Sequence, residues 1–385
     1  MIFENLLILK TKINWRILPV LIVPLFSCQE NKSQIAEINI ALVKIDSLII
    51  QKETRIRILD HHSNTGNFLG YGPITKSFLL IDGKGKILEE VNRFGQGPNE
   101  YSANLSSAAF NEDGGGVFLQ SSNELIWYDE NWVIKNKWKY APNFGVTIYG
   151  GPRFSTPYYF EKNSPAPLIF TSFFSNVKIQ FHEEQRRLGI SKIVEVFDSS
   201  KDKLDWKLPI DFSLYNEYKP KDNEFDLSPV YYLNKEKKVL LLSFDNSLTV
   251  GAYDMSSEFD LLWLFNFEKN QLSDKGNGKT VKIFQNANHD FVILRYSGIA
   301  DLELLSKKEE NSSYSPLQDS QLYRFYYVSE DKKVLKELPF PAGHEPNSEL
   351  IILGEGKFLI RCKDDEDTEM NYSSYSVFEI TVQNP

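Results

Sequence analysis

Short apolar runs separated by polar turns dominate most of the chain. The clearest set lies in Ser77–Lys139, where Phe78–Ile81 and Lys86–Leu88 flank Asp82-Gly83-Lys84-Gly85, a pattern that predicts a β-hairpin. Further apolar runs follow at Leu105–Phe110, Val117–Gln120, Glu124–Tyr128 and Trp132–Lys139. Short strands joined by tight turns predict an antiparallel meander, which is the unit of a β-propeller blade.

An aspartate ends the apolar run at several of these turns. It recurs at Asp82, Asp129, Asp198 and Asp254, and a related turn at Ser329-Glu330 lacks it. An aspartate is favoured there because its side chain accepts hydrogen bonds from nearby backbone N–H groups. The spacing between these turns is irregular, which indicates blades with loops of variable length rather than a strict sequence repeat.

The runs group into six predicted blades. Their approximate bounds are residues 53–92, 103–140, 146–210, 226–267, 279–340 and 347–383. The last blade has three predicted strands, and a strand around Ile35–Val43 is left over near the N-terminus. Pairing the two closes the ring and removes exposed strand edges. We therefore predict an all-β fold: one six-bladed β-propeller domain of four-stranded antiparallel blades over residues 35–385.

The first 27 residues have the features of a processing signal. Lys10, Lys12 and Arg16 form a basic region directly before the apolar run Ile17–Phe26. This apolar run is too short to span a bilayer. We predict a signal peptide over residues 1–27, and no later run approaches the length of a transmembrane helix.

The end of this segment, Leu25-Phe26-Ser27-Cys28, resembles the lipobox of bacterial lipoproteins. The resemblance implies that Cys28 is acylated and becomes the first residue of the mature chain. Residues 28–34 then form a tether, and the acyl group holds the protein at a membrane. The alternatives are an ordinary cleaved signal peptide or an anchoring helix, with Cys28 incidental.

Charge and cysteine content narrow the function classes. The full sequence has a formal net charge of −9, which gives no basic surface for nucleic acid or for an anionic membrane. Cys362 is the only cysteine besides Cys28, so acylation of Cys28 leaves no partner for an intrachain disulfide. Stability must then come from packing, for which 42% apolar residues suffice.

The loop between the first two predicted blades contains Gly95-Gln96-Gly97-Pro98-Asn99-Glu100. This stretch resembles a motif of the six-bladed TolB-like propeller lipoproteins of Bacteroidota, which typically show Gly-x-Gly-Pro-Gly-Glu. Asn99 departs from that pattern, although asparagine tolerates a left-handed backbone. The resemblance implies a fold and an envelope location more than a function, because many such families have no assigned activity.

We interpret Gly95, Gly97, Pro98 and Glu100 as a structural loop. The glycines suggest a backbone that bends sharply, with φ above zero, next to a proline that restricts its neighbour. The Glu100 carboxylate would accept backbone N–H bonds. The alternative is a functional loop in which Glu100 is exposed towards a partner.

Other stretches resemble chemical motifs incompletely. Gly276–Thr280 lacks the first glycine of a phosphate-binding loop and leads into a predicted strand, so we predict a turn. The acidic run Asp364–Glu369 lacks the glycine of a calcium loop. No pair of histidines has helical metal-ligand spacing; they are His61, His62, His182, His289 and His344. We predict no catalytic, cofactor or metal residues, although a propeller can gather ligands from distant blades.

Aromatic clusters allow two interpretations. Tyr158-Tyr159-Phe160, Tyr231-Tyr232 and Phe325-Tyr326-Tyr327 could stack on sugar rings or pack between blades, and we favour packing. The sequence favours a monomeric, non-catalytic binding or scaffold lipoprotein of the bacterial cell envelope, with an envelope protein or glycan as partner. The alternative is a propeller hydrolase, lactonase-like or glycan-cleaving, with its site at the central channel.

Overall fold

The computed structural model describes residues 39–383 apart from 103, 122, 140–151, 153–154, 161–166, 174–191, 201–202, 210–228, 258, 269–270, 276, 287–289, 355 and 365–370. The predicted signal peptide, the Cys28 acylation site and the tether lie outside the described residues. So do His182, His289 and the acidic run after Asp364.

Strands are the main secondary structure of the described residues, in agreement with the predicted all-β class. The strands are β1 (Asn39–Gln51), β2 (Arg57–His62), β3 (Asn67–Gly72), β4 (Ser77–Ile81), β5 (Ile87–Asn92), β6 (Leu105–Phe110), β7 (Val117–Ser121), β8 (Glu124–Tyr128), β9 (Ile134–Lys139), β10 (Tyr158–Phe160), β11 (Pro167–Phe173), β12 (Lys192–Asp198), β13 (Lys203–Pro209), β14 (Pro229–Asn234), β15 (Val239–Phe244), β16 (Thr249–Asp254), β17 (Asp260–Asn266), β18 (Lys279–Gln285), β19 (Phe291–Tyr296), β20 (Tyr323–Val328), β21 (Leu335–Pro339), β22 (Ile351–Gly354), β23 (Lys357–Arg361) and β24 (Tyr372–Gln383).

Five of the sheets are antiparallel meanders of four consecutive strands, which are the blades of a β-propeller. We number them in chain order: blade 1 (β2–β5), blade 2 (β6–β9), blade 3 (β10–β13), blade 4 (β14–β17) and blade 5 (β18–β21). Their bounds fall within the first five predicted blade ranges.

The remaining described sheet joins the two ends of the chain, and we call it the terminal sheet. Its strand order is β1-β24-β23-β22, so β1 and β22 form its two edges. The Thr381 hydroxyl donates to the carbonyl oxygen of Ala41 at 3.4 Å across the β1–β24 contact. The structure thus shows five meander blades, whereas a sixth blade closed by the N-terminal strand stays a prediction.

The turn aspartates have the predicted role. In blade 1, Asp82 Oδ1 accepts from the backbone N–H groups of Lys84 and Lys86, each at 2.9 Å. In blade 5 the hydroxyl of Ser329 takes the place of the carboxylate and accepts from Val334 N–H at 2.9 Å. The same carboxylate-to-backbone bonds occur at Asp129, Asp198 and Asp254. A local side-chain contact therefore defines the turn from third to fourth strand in each meander.

Aromatic side chains fill the spaces between neighbouring blades. Phe78 of blade 1 stacks on Trp132, between β8 and β9 of blade 2, with ring centroids 5.4 Å apart. Trp263 of blade 4 stacks on Phe291 of blade 5 at the same separation, 5.4 Å. Buried Tyr158 and the cluster Phe325-Tyr326-Tyr327 also lie in such layers, as the packing interpretation predicts.

A helix interrupts blade 5, where the sequence did not predict one. Helix α1 (Asp301–Glu310) and the short 3-10 helices Pro316–Gln318 and Ser320–Leu322 connect β19 to β20. Acidic residues occupy the first turn of α1 and lysines its last turn, which suits the helix dipole. Within the described ranges, no helix is long and apolar enough to cross a membrane.

Candidate functional site

The first strands of the blades line the centre of the propeller. Strand β2 contacts β6 on one side and β22 on the other, and β14 contacts β18. Neighbouring sheets therefore meet along their first strands, as blades around an axis do. Strand β2 has a β-bulge between Ile58 and Asp60, and a bulge re-aims the side chain that follows it.

Asp60 follows the buried pair Ile58 and Leu59 in the inner strand β2 and is itself half-buried. Its Oδ2 accepts from the backbone N–H of Phe110 in blade 2 at 2.9 Å. Burial raises the pKa of the Asp60 carboxyl, and the charge of Lys235 and the bonds from Phe110, His61 and Ser155 lower it in part. The carboxylate is thus held by several partners in a site that disfavours its charge.

Lys235 approaches the same place from the turn after β14 in blade 4. Its Nζ lies 3.6 Å from the centre of the Tyr158 ring in blade 3, a cation–π contact. Burial of the ammonium group lowers the pKa of Lys235, whereas the charges of Asp60 and Glu112 raise it. Lys235 as a whole is exposed and Asp60 is half-buried, so solvent reaches both groups.

Tyr158 and Glu112 complete the group. The Tyr158 hydroxyl donates to the carbonyl oxygen of Phe110. Burial, with the charges of Asp60 and Glu112, raises the pKa of Tyr158 well above its ordinary value. Asp60, Glu112, Tyr158 and Lys235 come from four blades, and we call them the axial cluster.

Two histidines flank the axial cluster at the end of β2. His62 accepts or donates at both ring nitrogens, with Nε2 3.0 Å from the carbonyl oxygen of Glu112 and Nδ1 3.0 Å from the Thr65 hydroxyl. His61 packs on Phe68 with ring centroids 4.8 Å apart. Burial, with a smaller contribution from His62, lowers the pKa of His61 to about 4.

The axial cluster has the chemistry of a polar binding site. A carboxylate can accept hydrogen bonds from hydroxyl or N–H groups, and an ammonium group can donate them. Each of the two charges also favours the charged form of the other. Among the residues that the structure describes, no group of three or more His, Cys, Asp or Glu side chains is placed to hold a metal ion.

The loop at Gly95–Glu100 lies between blades 1 and 2. Among the described residues, no contact joins it to the axial cluster. Glu100 Oε2 accepts from the backbone N–H of Gly97 at 2.6 Å, the bond that the structural interpretation predicts. Asn99, the residue that departs from the family pattern, forms two hydrogen bonds with residues of blade 2. Its carbonyl oxygen accepts from the Tyr128 hydroxyl at 3.2 Å, and its Oδ1 accepts from Ile134 N–H at 3.4 Å.

The predicted reason for the glycines is wrong. Neither Gly95 nor Gly97 has a positive φ. A Cβ on Gly95 would instead lie 2.0 Å from Glu100 Oε2, and one on Gly97 would lie 3.0 Å from it. The glycines leave room for the Glu100 carboxylate, which folds back over its own loop.

Sequence reasoning missed Asp60 and Lys235 as site residues, although it noted the neighbouring histidines. The available signal for Asp60 was an aspartate that directly follows the apolar pair Ile58-Leu59 and precedes His61-His62. In the Gly276–Thr280 stretch, Gly276 lies outside the described residues, and Lys279 and Thr280 begin strand β18, the strand that the sequence predicts after this stretch. Thr280 there accepts a hydrogen bond from buried Arg295 at 3.0 Å, a structural contact.

Comparisons with known proteins support the fold but assign no activity to it. No protein-family model matches the sequence, and no curated protein does. A member of the DUF4221 family from Bacteroides vulgatus ATCC 8482 is similar in structure, with a TM-score of 0.63 and 13% identity over 89% of this chain and 99% of that one. At this identity the likeness shows the fold alone.

Two further solved structures are less similar. A chain named as an exported protein of Bacteroides fragilis NCTC 9343 has a TM-score of 0.49 at 12% identity, covering 92% of this chain and 97% of its own. A luciferin-regenerating enzyme has a TM-score of 0.44 at 9% identity, covering 88% of this chain and 98% of its own. Neither similarity is strong enough to support a function.

Proposed function

We propose that this chain is a lipid-anchored, non-catalytic binding protein of the bacterial cell envelope, and that the axial cluster takes a polar group of its partner. The convergence of Asp60, Glu112, Tyr158 and Lys235 from four blades is the observation that supports this most. Removing charges from water is costly, and apolar side chains of similar volume would hold the blades together at least as well. Charges retained at such a place suit a binding role.

The chemistry of the axial cluster favours a partner rich in hydroxyl groups. The Asp60 carboxylate accepts hydrogen bonds and the Lys235 ammonium donates them, while the buried Tyr158 ring supports the ammonium from below. Sugars present donors and acceptors on neighbouring carbons, so one sugar ring can satisfy both charged groups. We therefore propose an envelope glycan as the partner. We do not propose a hydrolase, because no contact in the described part of the chain favours one.

We also propose that the terminal sheet is a sixth blade that closes the ring, as in TolB-like propellers. Phe358 of β23 packs against Phe284 and Phe325 of blade 5, with ring centroids 5.1 and 5.4 Å apart. On its other side the Tyr375 hydroxyl donates to the carbonyl oxygen of Ile56, which precedes blade 1, at 2.9 Å. Contacts of one sheet with both the first and the last meander support this assignment.

The membrane anchor rests on the sequence. The lipobox resemblance of Leu25–Cys28 supports an acyl group on Cys28, and a polar tether supports a globular domain held close to the membrane surface. Together these features favour an envelope location for the proposed glycan site, where such partners occur.

An array of bacterial envelope oligosaccharides tests the binding function. The full chain should bind a subset of the array, and Asp60→Asn and Lys235→Gln should each lower the affinity about tenfold or more, since each removes a charge-assisted hydrogen bond. Lys237→Gln is the matched control, because Lys237 is exposed on the same turn as Lys235 and its loss changes the net charge equally.

Several outcomes would contradict the proposal. Equal losses with Lys237→Gln would assign the effect to net charge. Binding that survives both Asp60→Asn and Lys235→Gln would place the partner elsewhere. Cleavage of an array sugar by the parent chain would show an enzyme. Retention of an envelope protein instead of any sugar would exclude the glycan and leave only a protein-binding role.

A further inference from the structure

A cysteine and a histidine lie side by side beyond the end of β23. None of the contacts in the described part of the chain connects them with the axial cluster. Cys362 and His344 form an isolated antiparallel bridge, so their side chains project from adjacent backbone positions. Cys362 is a free, half-buried thiol. His344 is buried, with 8% of its surface exposed.

The orientation of the imidazole is fixed by two contacts. His344 Nδ1 lies 2.8 Å from the carbonyl oxygen of Ala342, a contact that places the ring proton on Nδ1. The ring also packs edge-on against Phe378, with centroids 5.1 Å apart. Nε2 is therefore an acceptor, and it is a buried atom with no hydrogen-bond partner among the described residues.

The bridge pairing places this ring and the Cys362 thiol next to each other on the same face. Cys362 Sγ also lies 3.5 Å from the Ser376 hydroxyl. Burial raises the pKa of the Cys362 thiol, but interactions with His344, Ser376 and Ser374 outweigh it and lower the pKa to about 7. A cysteine with this environment is a thiolate for a large part of the time at neutral pH.

The other charged groups nearby are engaged with one another. Arg361 donates to both carboxylate oxygens of Asp364 at 3.0 Å and to Glu345 at 3.3 Å. Its guanidinium also lies over the Tyr375 ring, 5.8 Å from the centroid. His344 is thus the titratable group directly opposite Cys362 in the bridge.

We propose that Cys362 is a modification site: a nucleophilic thiol, assisted by His344, that forms mixed disulfides with small-molecule disulfides. His344 Nε2 takes the proton of the thiol. The thiolate sulfur then attacks one sulfur of the disulfide, the S–S bond breaks, and the departing thiolate takes the proton from His344. Cys362 is oxidised to a mixed disulfide while the small disulfide is reduced to one thiol, so no further oxidant is needed.

The test uses 4,4′-dithiodipyridine as the disulfide and follows the thiopyridone that is released. The full chain carries Cys28→Ser, which leaves Cys362 as its only thiol. The rate of release should follow ionisation of the thiol, with a midpoint near pH 7. Cys362→Ser in the same background should abolish the release.

His344→Gln tests the role of the histidine. It should move the midpoint upward towards about 8.5, the value of an ordinary thiol, and slow the reaction at pH 7 about tenfold. If His344→Gln fails to fold, Ser376→Ala provides a second variant, with a smaller shift in the same direction. A parent midpoint at an ordinary thiol value, a midpoint unchanged in both variants, or release only after denaturation would overturn the proposal.

Discussion

At the scale of single residues, the Glu100 carboxylate holds the loop between blades 1 and 2. It accepts from Gly97 N–H at 2.6 Å and occupies the space where a side chain on Gly95 would begin. Buried Tyr101 follows directly and packs among the side chains of both blades. The loop is therefore part of the packing between two blades.

We expect Gly95→Ala to destabilise the protein. The new methyl group would displace the Glu100 carboxylate, which would lose its charge-assisted bond to Gly97, at a cost of about 1–3 kcal/mol. Glu100→Gln should cost less, since an amide oxygen can still accept. Chemical unfolding measures both, with exposed Gln96→Ala in the same loop as the control. Overlapping unfolding curves for Gly95→Ala and the parent would refute this role.

His61 should make the protein sensitive to acid. Its pKa is about 4 in the folded protein, below the ordinary value of 6.5, so the unfolded state binds more protons between these values. The contribution of His61 to the stability of the folded protein is fully present above pH 6.5. It is lost as the pH falls through 4. Asp60 acts in the opposite direction, because its pKa is raised.

The size of the His61 effect is reduced by solvent screening, since the residue is only half-buried, and we expect about 1–2 kcal/mol. Unfolding free energies measured from pH 7 to pH 4 should fall less steeply in His61→Gln than in the parent. Parallel pH profiles would show that His61 is not the group responsible.

The contacts of single residues were only partly predictable. The turn aspartates could be recognised because each bonds backbone within four residues of itself. Asp60 could not, because its direction depends on a bulge in β2 and its partners lie in blades 2, 3 and 4. The glycines of the loop were recognised as necessary, but the contact that requires them is visible only in three dimensions.

At the scale of elements, β1 links the terminal sheet to blade 1. Its first half lies beside β24, whereas Leu48 and Ile50 are buried among side chains of blade 1 and the terminal sheet. Gly85, in the turn between β4 and β5, has a φ of +88° and meets this strand closely. A Cβ there would lie 2.0 Å from the carbonyl oxygen of Ile49.

Gly85→Ala should therefore destabilise the protein by about 3 kcal/mol or more, through both backbone strain and collision with β1. Gly66→Ala is the matched control, because Gly66 has a φ of +70° in the same blade but no atom lies within 4 Å of the place that its Cβ would take. It should cost only the strain, about 1 kcal/mol. Equal melting temperatures for the two variants would contradict the docking of β1 on blade 1.

Strands were more predictable than the helix. Apolar runs and turn residues indicate strands locally, so the sequence places five meanders within the right ranges. Helix α1 has no buried residues, and an apolar periodicity that would reveal it is absent. Its remaining signal, acids in the first turn and lysines in the last, is weaker than a packing pattern.

At the scale of the whole molecule, the proposed ring and anchor define where the protein acts. Cys28→Ser removes the acyl attachment, so we expect the variant to move from the membrane fraction to the soluble periplasmic fraction. Fractionation of cells and immunoblotting measure this, with Cys362→Ser as the control cysteine variant. A Cys28→Ser chain that still sediments with membranes after a high-salt wash would refute the lipid anchor.

The central claim is that the axial cluster serves binding rather than stability. The variant Asp60→Asn/Lys235→Met removes both charges, and chemical unfolding should show it at least as stable as the parent, since replacing partly desolvated charges by uncharged groups costs little. The decisive measurement is the affinity of this folded variant for the oligosaccharide that the parent binds best. We predict a loss of about a hundredfold or more, and an affinity equal to that of the parent would contradict the account.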